Sequence, residues 1–212
     1  MPERKLSKEL AEWCNNLKCK LESNYLSFNE DEPWRQSGMS GPENRWISLR
    51  KPIADCVEYS GTFLDIGCAN GYLLECIMKW VNERGLSIEP FGLDISEELI
   101  KRAKKRLPNY SHNMFEGNCF SWLPPRKFDY VSTMLGYVPD EYEKEYILFL
   151  FDAYINNTGK LLVLRTGKKG EPEEWLRERF CKYGIAIESF KHGFDPVLDR
   201  QASVAIINNS IS

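Results

Sequence analysis

Apolar residues at Leu6, Leu10, Trp13, Leu17 and Leu21 recur at helical spacing with Lys and Glu between them, which predicts an amphipathic helix over residues 3–22. That helix is expected to cover the core or a partner chain. From Asn24 to Asn44 the period breaks, and Pro33, Gly38, Gly41 and Pro42 mark an irregular segment carrying Tyr25, Phe28, Trp34 and Arg35. Trp46, Leu49, Ile53 and Val57 then form a helical stripe over Arg45 to Tyr59, with Pro52 inside it, so the segment either kinks or is two pieces. Beyond it, apolar runs and amphipathic stretches alternate. Strands are expected at Phe63–Asp65, Ser87–Asp94, His112–Glu116, Phe128–Thr133 and Lys160–Arg165. Helices are expected at Tyr72–Glu83, Ser96–Leu107, Glu141–Ile155 and Pro172–Tyr183. Ile185–His192 and Ala202–Ile207 alternate as two last strands, and their short connection through Gly193, Asp195 and Pro196 makes them an antiparallel pair. The alternation predicts a doubly wound α/β sheet.

The stretch Phe63-Leu64-Asp65-Ile66-Gly67-Cys68-Ala69-Asn70-Gly71-Tyr72 organises this pattern: an apolar strand ends in an acid, and a two-glycine loop opens a helix. Gly67 and Gly71 permit close backbone approach by a ligand, and the following helix aims its N-terminal N–H groups at it. A dinucleotide loop wants G-x-G-x-x-G, whereas the spacing here is Asp-x-Gly-x-x-x-Gly. A carboxylate at the strand end repels a pyrophosphate and suits an ammonium group. The competing reading is a tight strand-to-helix turn without a ligand.

This stretch resembles the first motif of the class I S-adenosylmethionine-dependent methyltransferases. The resemblance runs over about residues 45–207. It implies a mostly parallel seven-stranded sheet closed by an antiparallel C-terminal hairpin, with an N-terminal helical extension. It also implies that Asp65, Gly67, Cys68, Asn70 and Gly71 hold the methionine portion of the cofactor. Asp94 ends the second strand, where the resemblance assigns it both ribose hydroxyls and places Ile95 on the adenine. Asp94 alternatively caps the next helix, although Ser96 already fills that position. At Gly117-Asn118-Cys119 the family usually carries Gly-Asp, whose carboxylate accepts from the adenine amino group. Asn118 keeps an acceptor oxygen, and the Cys119 N–H would meet a ring nitrogen.

The end of the fourth strand, Thr133-Met134-Leu135-Gly136-Tyr137, is expected beside the transferable methyl. It carries no Asn/Asp-Pro-Pro-Tyr signature, no Pro-Cys nucleophile and no metal-binding acid, so the acceptor is narrowed without being named. Tyr137, Asp140 and His192 are the candidates for a general base or an acceptor contact. Asp140 has a competing role as a helix cap and His192 as an exposed strand residue. Trp34, Arg45 and Tyr137 are candidate acceptor-binding residues. Arg45 and Arg50 flank the segment before the first strand, and both read either as contacts to an anionic acceptor or as surface arginines.

At 212 residues with a net charge of −3, the chain is expected to hold one domain over 45–212, with residues 1–44 forming a helix and a possible lid. That charge gives no global pull toward nucleic acid or an anionic membrane. Seven cysteines without a C-x-x-C pair, and only His112 and His192 as imidazoles, argue against structural zinc and for a reducing cytoplasm. The basic run Lys101, Arg102, Lys104, Lys105 and Arg106 reads as the dipole-favoured end of a helix, because no aromatics interleave with it for base stacking. The expectation is a cytoplasmic methyltransferase, monomer or homodimer, using S-adenosylmethionine on an O or N of a small-molecule acceptor and leaving S-adenosylhomocysteine. The alternatives are an RNA or protein methyltransferase and a non-catalytic S-adenosylmethionine-binding protein.

Overall fold

Strand β1 (Gly61–Ile66) lies in the middle of the sheet, parallel to β2 (Ile88–Asp94) on one side and to β4 (Phe128–Thr133) on the other. Every residue of β1 after Gly61 is buried, as a strand covered on both faces requires. The full order is β3-β2-β1-β4-β5-β7-β6, with β3 at Met114–Glu116, β5 at Ile155–Lys168, β6 at Ser189–Asp195 and β7 at Arg200–Asn208. Only β7 runs antiparallel to its neighbours, inserted between β5 and β6. This computed structural model describes residues 5–38 and 41–209.

Among the described residues, six α-helices cover the sheet. Helices α2 (Glu43–Asp55), α3 (Tyr72–Asn82) and α4 (Glu97–Arg106) supply one core layer through Trp46, Leu49, Ile53, Leu74, Ile77, Ile100 and Ala103. Helices α1 (Lys8–Tyr25), α5 (Glu143–Ala153) and α6 (Glu171–Tyr183) supply the other through Leu10, Cys14, Tyr146, Ile147, Leu150, Leu176 and Phe180. Each fully buried Leu or Ile adds roughly 1.5–3 kcal/mol over an exposed one, so both layers contribute substantially. Helix α1 is capped by Ser7, whose Oγ accepts from the Leu10 N–H. It starts later than the spacing predicts and runs one turn further; residues 3 and 4 of the expected helix lie outside the described residues. Among the described residues no helix is long and apolar enough to cross a membrane.

Helix α2 is one continuous piece despite Pro52. A proline at that position removes the N–H that would bond the Ser48 carbonyl. That carbonyl packs instead directly against Gly193 of β6, where any Cβ would collide with it. The missing hydrogen bond and the missing side chain therefore meet at one contact.

The third strand is shorter than expected, because Pro108–Asn113 winds as a 3-10 turn before Met114. The fifth is longer, since β7 pairs with it from Lys160 to Lys168. The order of strand addition reverses at β1, with β2 and β3 laid down on one side and β4 on the other, so a crevice opens beyond the C-terminal ends of β1 and β4.

Candidate functional site

The loop after β1 is shaped by two glycines with opposite tasks. Gly67 (φ +78°) faces the crevice, bare toward it except for the ring of Tyr137. Gly71 (φ +76°) faces the protein, and a Cβ there would lie 3.2 Å from the Ala103 backbone of α4. Ala69 also takes positive φ, and its N–H donates to Asp94 Oδ2 at 2.9 Å. Ser96 N–H donates to Asp94 Oδ1 at 2.9 Å, so two backbone amides orient this carboxylate beside the crevice.

Two cavities meet at Gly67. The first is lined by Asp94, Ile95, Gly117, Asn118, Cys119 and Tyr137, under Cys14, Leu17 and Leu21 of α1. The second, about 260 Å³, is lined by Asp65, Arg50, Ala69, Ser132, Thr133, Met134, Leu164, Thr166 and Tyr137, under Leu17, Leu21 and Tyr25 of the same helix. Helix α1 is fastened there at 2.6 Å by Ser96 Oγ–H donating to Glu22 Oε1. Asn70 Nδ2 ties the glycine loop to the N-terminal segment, donating to the Pro33 carbonyl at 3.0 Å and to Gln36 Oε1 at 3.2 Å.

The electrostatics of the second cavity are unusual. Asp65 is 3% exposed and Arg50 is 6% exposed, and Asp65 Oδ2 and Arg50 Nη1 both lack a hydrogen-bond partner. Burial pushes the Asp65 carboxyl up to about 7, with Ser132 and Arg50 offsetting part of the effect. Burial also raises Asp94 to about 6, against the amides of Ser96 and Ala69. The same burial holds the Arg50 guanidinium below its ordinary range. Leaving opposite charges buried and incompletely paired is costly, and such costs concentrate at binding sites.

The structure sorts the predicted residues. Asp65, Gly67, Asp94, Ile95, Asn118, Cys119, Thr133, Met134 and Tyr137 all line the two cavities. Cys68 turns away, with its sulfur packed toward Gly92 in the α2–α4 layer, and Asn70 and Gly71 serve the loop's anchorage. Asn118 Oδ1 accepts from the Phe120 N–H at 2.9 Å, closing its own turn while lining the cavity.

Besides Cys68, Asn70 and Gly71, four further candidates are not brought to either cavity. Asp140 is exposed and ion-paired with Arg179 at 2.6 Å. His192 lies on β6 against Ser203 and Glu173. Arg45 pairs with Asp195 at 3.1 Å, and Trp34 donates from Nε1 to the Gly41 carbonyl at 2.9 Å. Arg50 is the residue that sequence reasoning undervalued. It occupies an inward position of the α2 stripe, between Trp46 and Ile53, where a surface arginine does not belong.

Four of the five basic residues in the α4 run are held in ion pairs. Lys101 meets Glu97 and Glu98, Arg102 and Lys105 meet Glu30, and Arg106 meets Glu75. It is part of the clamp on the N-terminal segment.

Residues 63–148, from β1 into α5, match the family model for a methyltransferase domain. The chain is similar in structure to 1,6-didemethyltoxoflavin-N1-methyltransferase of Burkholderia thailandensis, with TM-score 0.67, 11% identity, and 98% of this chain and 94% of that one covered. It is likewise similar to magnesium protoporphyrin IX methyltransferase from Synechocystis PCC 6803 with bound SAM, with TM-score 0.60, 15% identity, and coverage of 92% and 97%. Ribosomal protein L11 methylase from Lactobacillus delbrueckii subsp. bulgaricus matches with TM-score 0.55, 16% identity, and coverage of 80% and 80%.

Proposed function

We propose that this chain, whose residues 63–148 match the methyltransferase-domain model, uses S-adenosylmethionine and methylates an O or N of a small-molecule acceptor within the cavity beside Thr133, Met134 and Tyr137. The observation that carries the reading is the pair of orphaned buried charges, Arg50 and Asp65, facing one cavity beside the bare Gly67. A zwitterion answers both: the Asp65 carboxylate takes the methionyl ammonium and the Arg50 guanidinium takes its carboxylate. Asp94, already oriented by two amides, has lone pairs left for the ribose hydroxyls, and Ile95 and Asn118 border the adenine side. The residues present fit the group. When bound, it supplies an electrophilic methyl on a sulfonium.

This chain's own residues then contribute position and exclusion of water. The strand end at Thr133 and Met134 sets the acceptor's approach, and Thr133 Oγ1 is itself fixed at 2.7 Å from Tyr146 Oη. Orientation of two reactants is worth up to roughly 7–11 kcal/mol in well-aligned cases. Helix α1 and Tyr25 roof the cavity, which favours an acceptor small enough to be enclosed. The neutralised α4 face supports the same choice over RNA.

The test is calorimetric titration with S-adenosylhomocysteine, S-adenosylmethionine and NAD, followed by transfer of a labelled methyl to a small-metabolite panel and to total RNA and protein. Binding of the sulfur nucleosides alone, with label passing to a small molecule, is the expected result. Label entering RNA or protein overturns the acceptor class, and absence of sulfur-nucleoside binding overturns the whole reading.

A further inference from the structure

The ring of Tyr137 lies where the proposed ligand must lie. Tyr137 ends the 3-10 turn Leu135–Tyr137 after β4, and the hydroxyl end of its ring lies against the open face of Gly67. A Cβ built on Gly67 would stand 2.5 Å from Tyr137 Cζ and 2.9 Å from Cε2. Nothing as large as a methionyl chain can share that face with the phenol. Tyr137 also borders both cavities, so its side chain is a partition between the Asp94 side and the Asp65–Arg50 side.

Its neighbours differ in character. Asp65, Asp94, Arg50 and Tyr25 all lie close enough to act on the phenol electrostatically, and burial among them raises it well above its ordinary range. The hydroxyl therefore stays protonated and the plug uncharged. On the chain side, Gly136 is exposed, and a Cβ there would meet nothing within 4 Å. The turn that carries the ring is thus free of packing at the residue beside it.

We propose that Tyr137 is a displaceable plug: its ring occupies the Gly67 face, and a cofactor reaches that face only by driving the ring out, which joins the two cavities into one cleft. The proposal rests on the cofactor assignment above. Binding then proceeds in two steps, and the plugged form withholds part of the intrinsic affinity. Where the competent form is a minor state, the apparent dissociation constant is raised about tenfold or more.

The test uses the full chain labelled with 3-fluorotyrosine, with Tyr137→Phe identifying the Tyr137 resonance, together with stopped-flow binding of S-adenosylhomocysteine. Expected are a displaced Tyr137 resonance at saturation and a wild-type binding rate that levels off with ligand concentration. In Tyr137→Ala the rate should instead rise linearly, with affinity tightened about tenfold, while Tyr137→Phe, which keeps the ring, retains the plateau. An unmoved Tyr137 resonance in the saturated wild-type chain overturns the plug without touching the cofactor assignment, and of the variants it needs only the conservative Tyr137→Phe to fold. Weaker binding by Tyr137→Ala with wild-type kinetics also overturns it, marking the ring as a fixed contact. No binding by wild type or variants removes the cofactor assignment and the plug together.

Discussion

Arg50 Nη1 and Asp65 Oδ2 are orphaned in residues that line one cavity, a basic and an acidic group each buried and each short of a partner. Truncating a buried charge that lacks its hydrogen-bond partner releases a desolvation cost that nothing offsets, whereas removing a charge that pairs with a bound ligand costs about 2–5 kcal/mol. Arg50→Met should therefore leave the melting temperature unchanged or raised while weakening S-adenosylhomocysteine binding by about thirtyfold or more. Calorimetry beside a thermal melt checks both arms. A loss of binding accompanied by a large loss of stability would assign Arg50 to the fold alone.

The same pair sets a pH dependence with opposite signs for folding and for binding. Asp65 is raised from 3.8 to about 7, so in the free protein its contribution to stability is complete at low pH. It declines as pH climbs from about 4 through 7, by up to roughly 1.4 kcal/mol per pH unit. An ammonium ligand needs the ionised form, so affinity for S-adenosylhomocysteine should rise with pH across that window and level off above about 7. Below it the dissociation constant should change about tenfold per pH unit, with Asp94 at about 6 adding in the same direction. Titrations from pH 5.5 to 7.5 on wild type and Asp65→Asn decide the matter: the variant should bind weakly with a flattened profile.

Much of this was legible from residues in order. The strand-to-acid-to-glycine pattern at Phe63–Gly71 gave both the fold and the floor of the site, because dihedral demands and backbone access are local properties. Thr133 is expected from its place at a strand end, and Asp94 and Asn118 from the family resemblance; all three line the cavities. What could not be read was direction. Whether Gly71 faced a ligand or Ala103, and whether Arg50 faced water or the cavity, depends on packing between helices far apart in sequence. Arg45 and Arg50 looked alike as residues before the first strand; one pairs with Asp195 on β6, and the other does not reach it. His192 and Asp140 are placed by the hairpin and by α6, which no motif near them announces.

The two loop glycines separate by what they touch. Gly71→Ala places a methyl 3.2 Å from the Ala103 backbone at φ +76°, so it should cost roughly 1–2 kcal/mol for the left-handed backbone before any crowding of α4. Its ligand affinity should stay near wild type once folded. Gly67→Ala carries the same backbone cost, yet its methyl enters the cavity against Tyr137, so binding should fall sharply. Denaturant melts paired with S-adenosylhomocysteine titrations distinguish them; equal binding loss in both would mean that the loop moves as one unit.

Leu17 and Leu21 roof both cavities from α1, and the helix is held by Glu22 to Ser96 and, beyond its end, by Glu30 to Arg102 and Lys105. Exposed ion pairs of this kind contribute only about 0–1 kcal/mol each, so the apolar roof is the larger part of the closure. Truncating a partly covered leucine removes roughly 1–3 kcal/mol of apolar burial, most of it available only while the helix is seated over a ligand. Leu21→Ala should therefore speed dissociation of S-adenosylhomocysteine about tenfold, with a smaller change in association rate, because lids act chiefly on exit. Lys105→Glu, which reverses one exposed pair, should change the dissociation rate less than twofold. Stopped-flow displacement measures both. If Lys105→Glu proves the faster to release, the closure is electrostatic, and its salt dependence will show it, since screening at high ionic strength would then accelerate release from the wild-type chain as well.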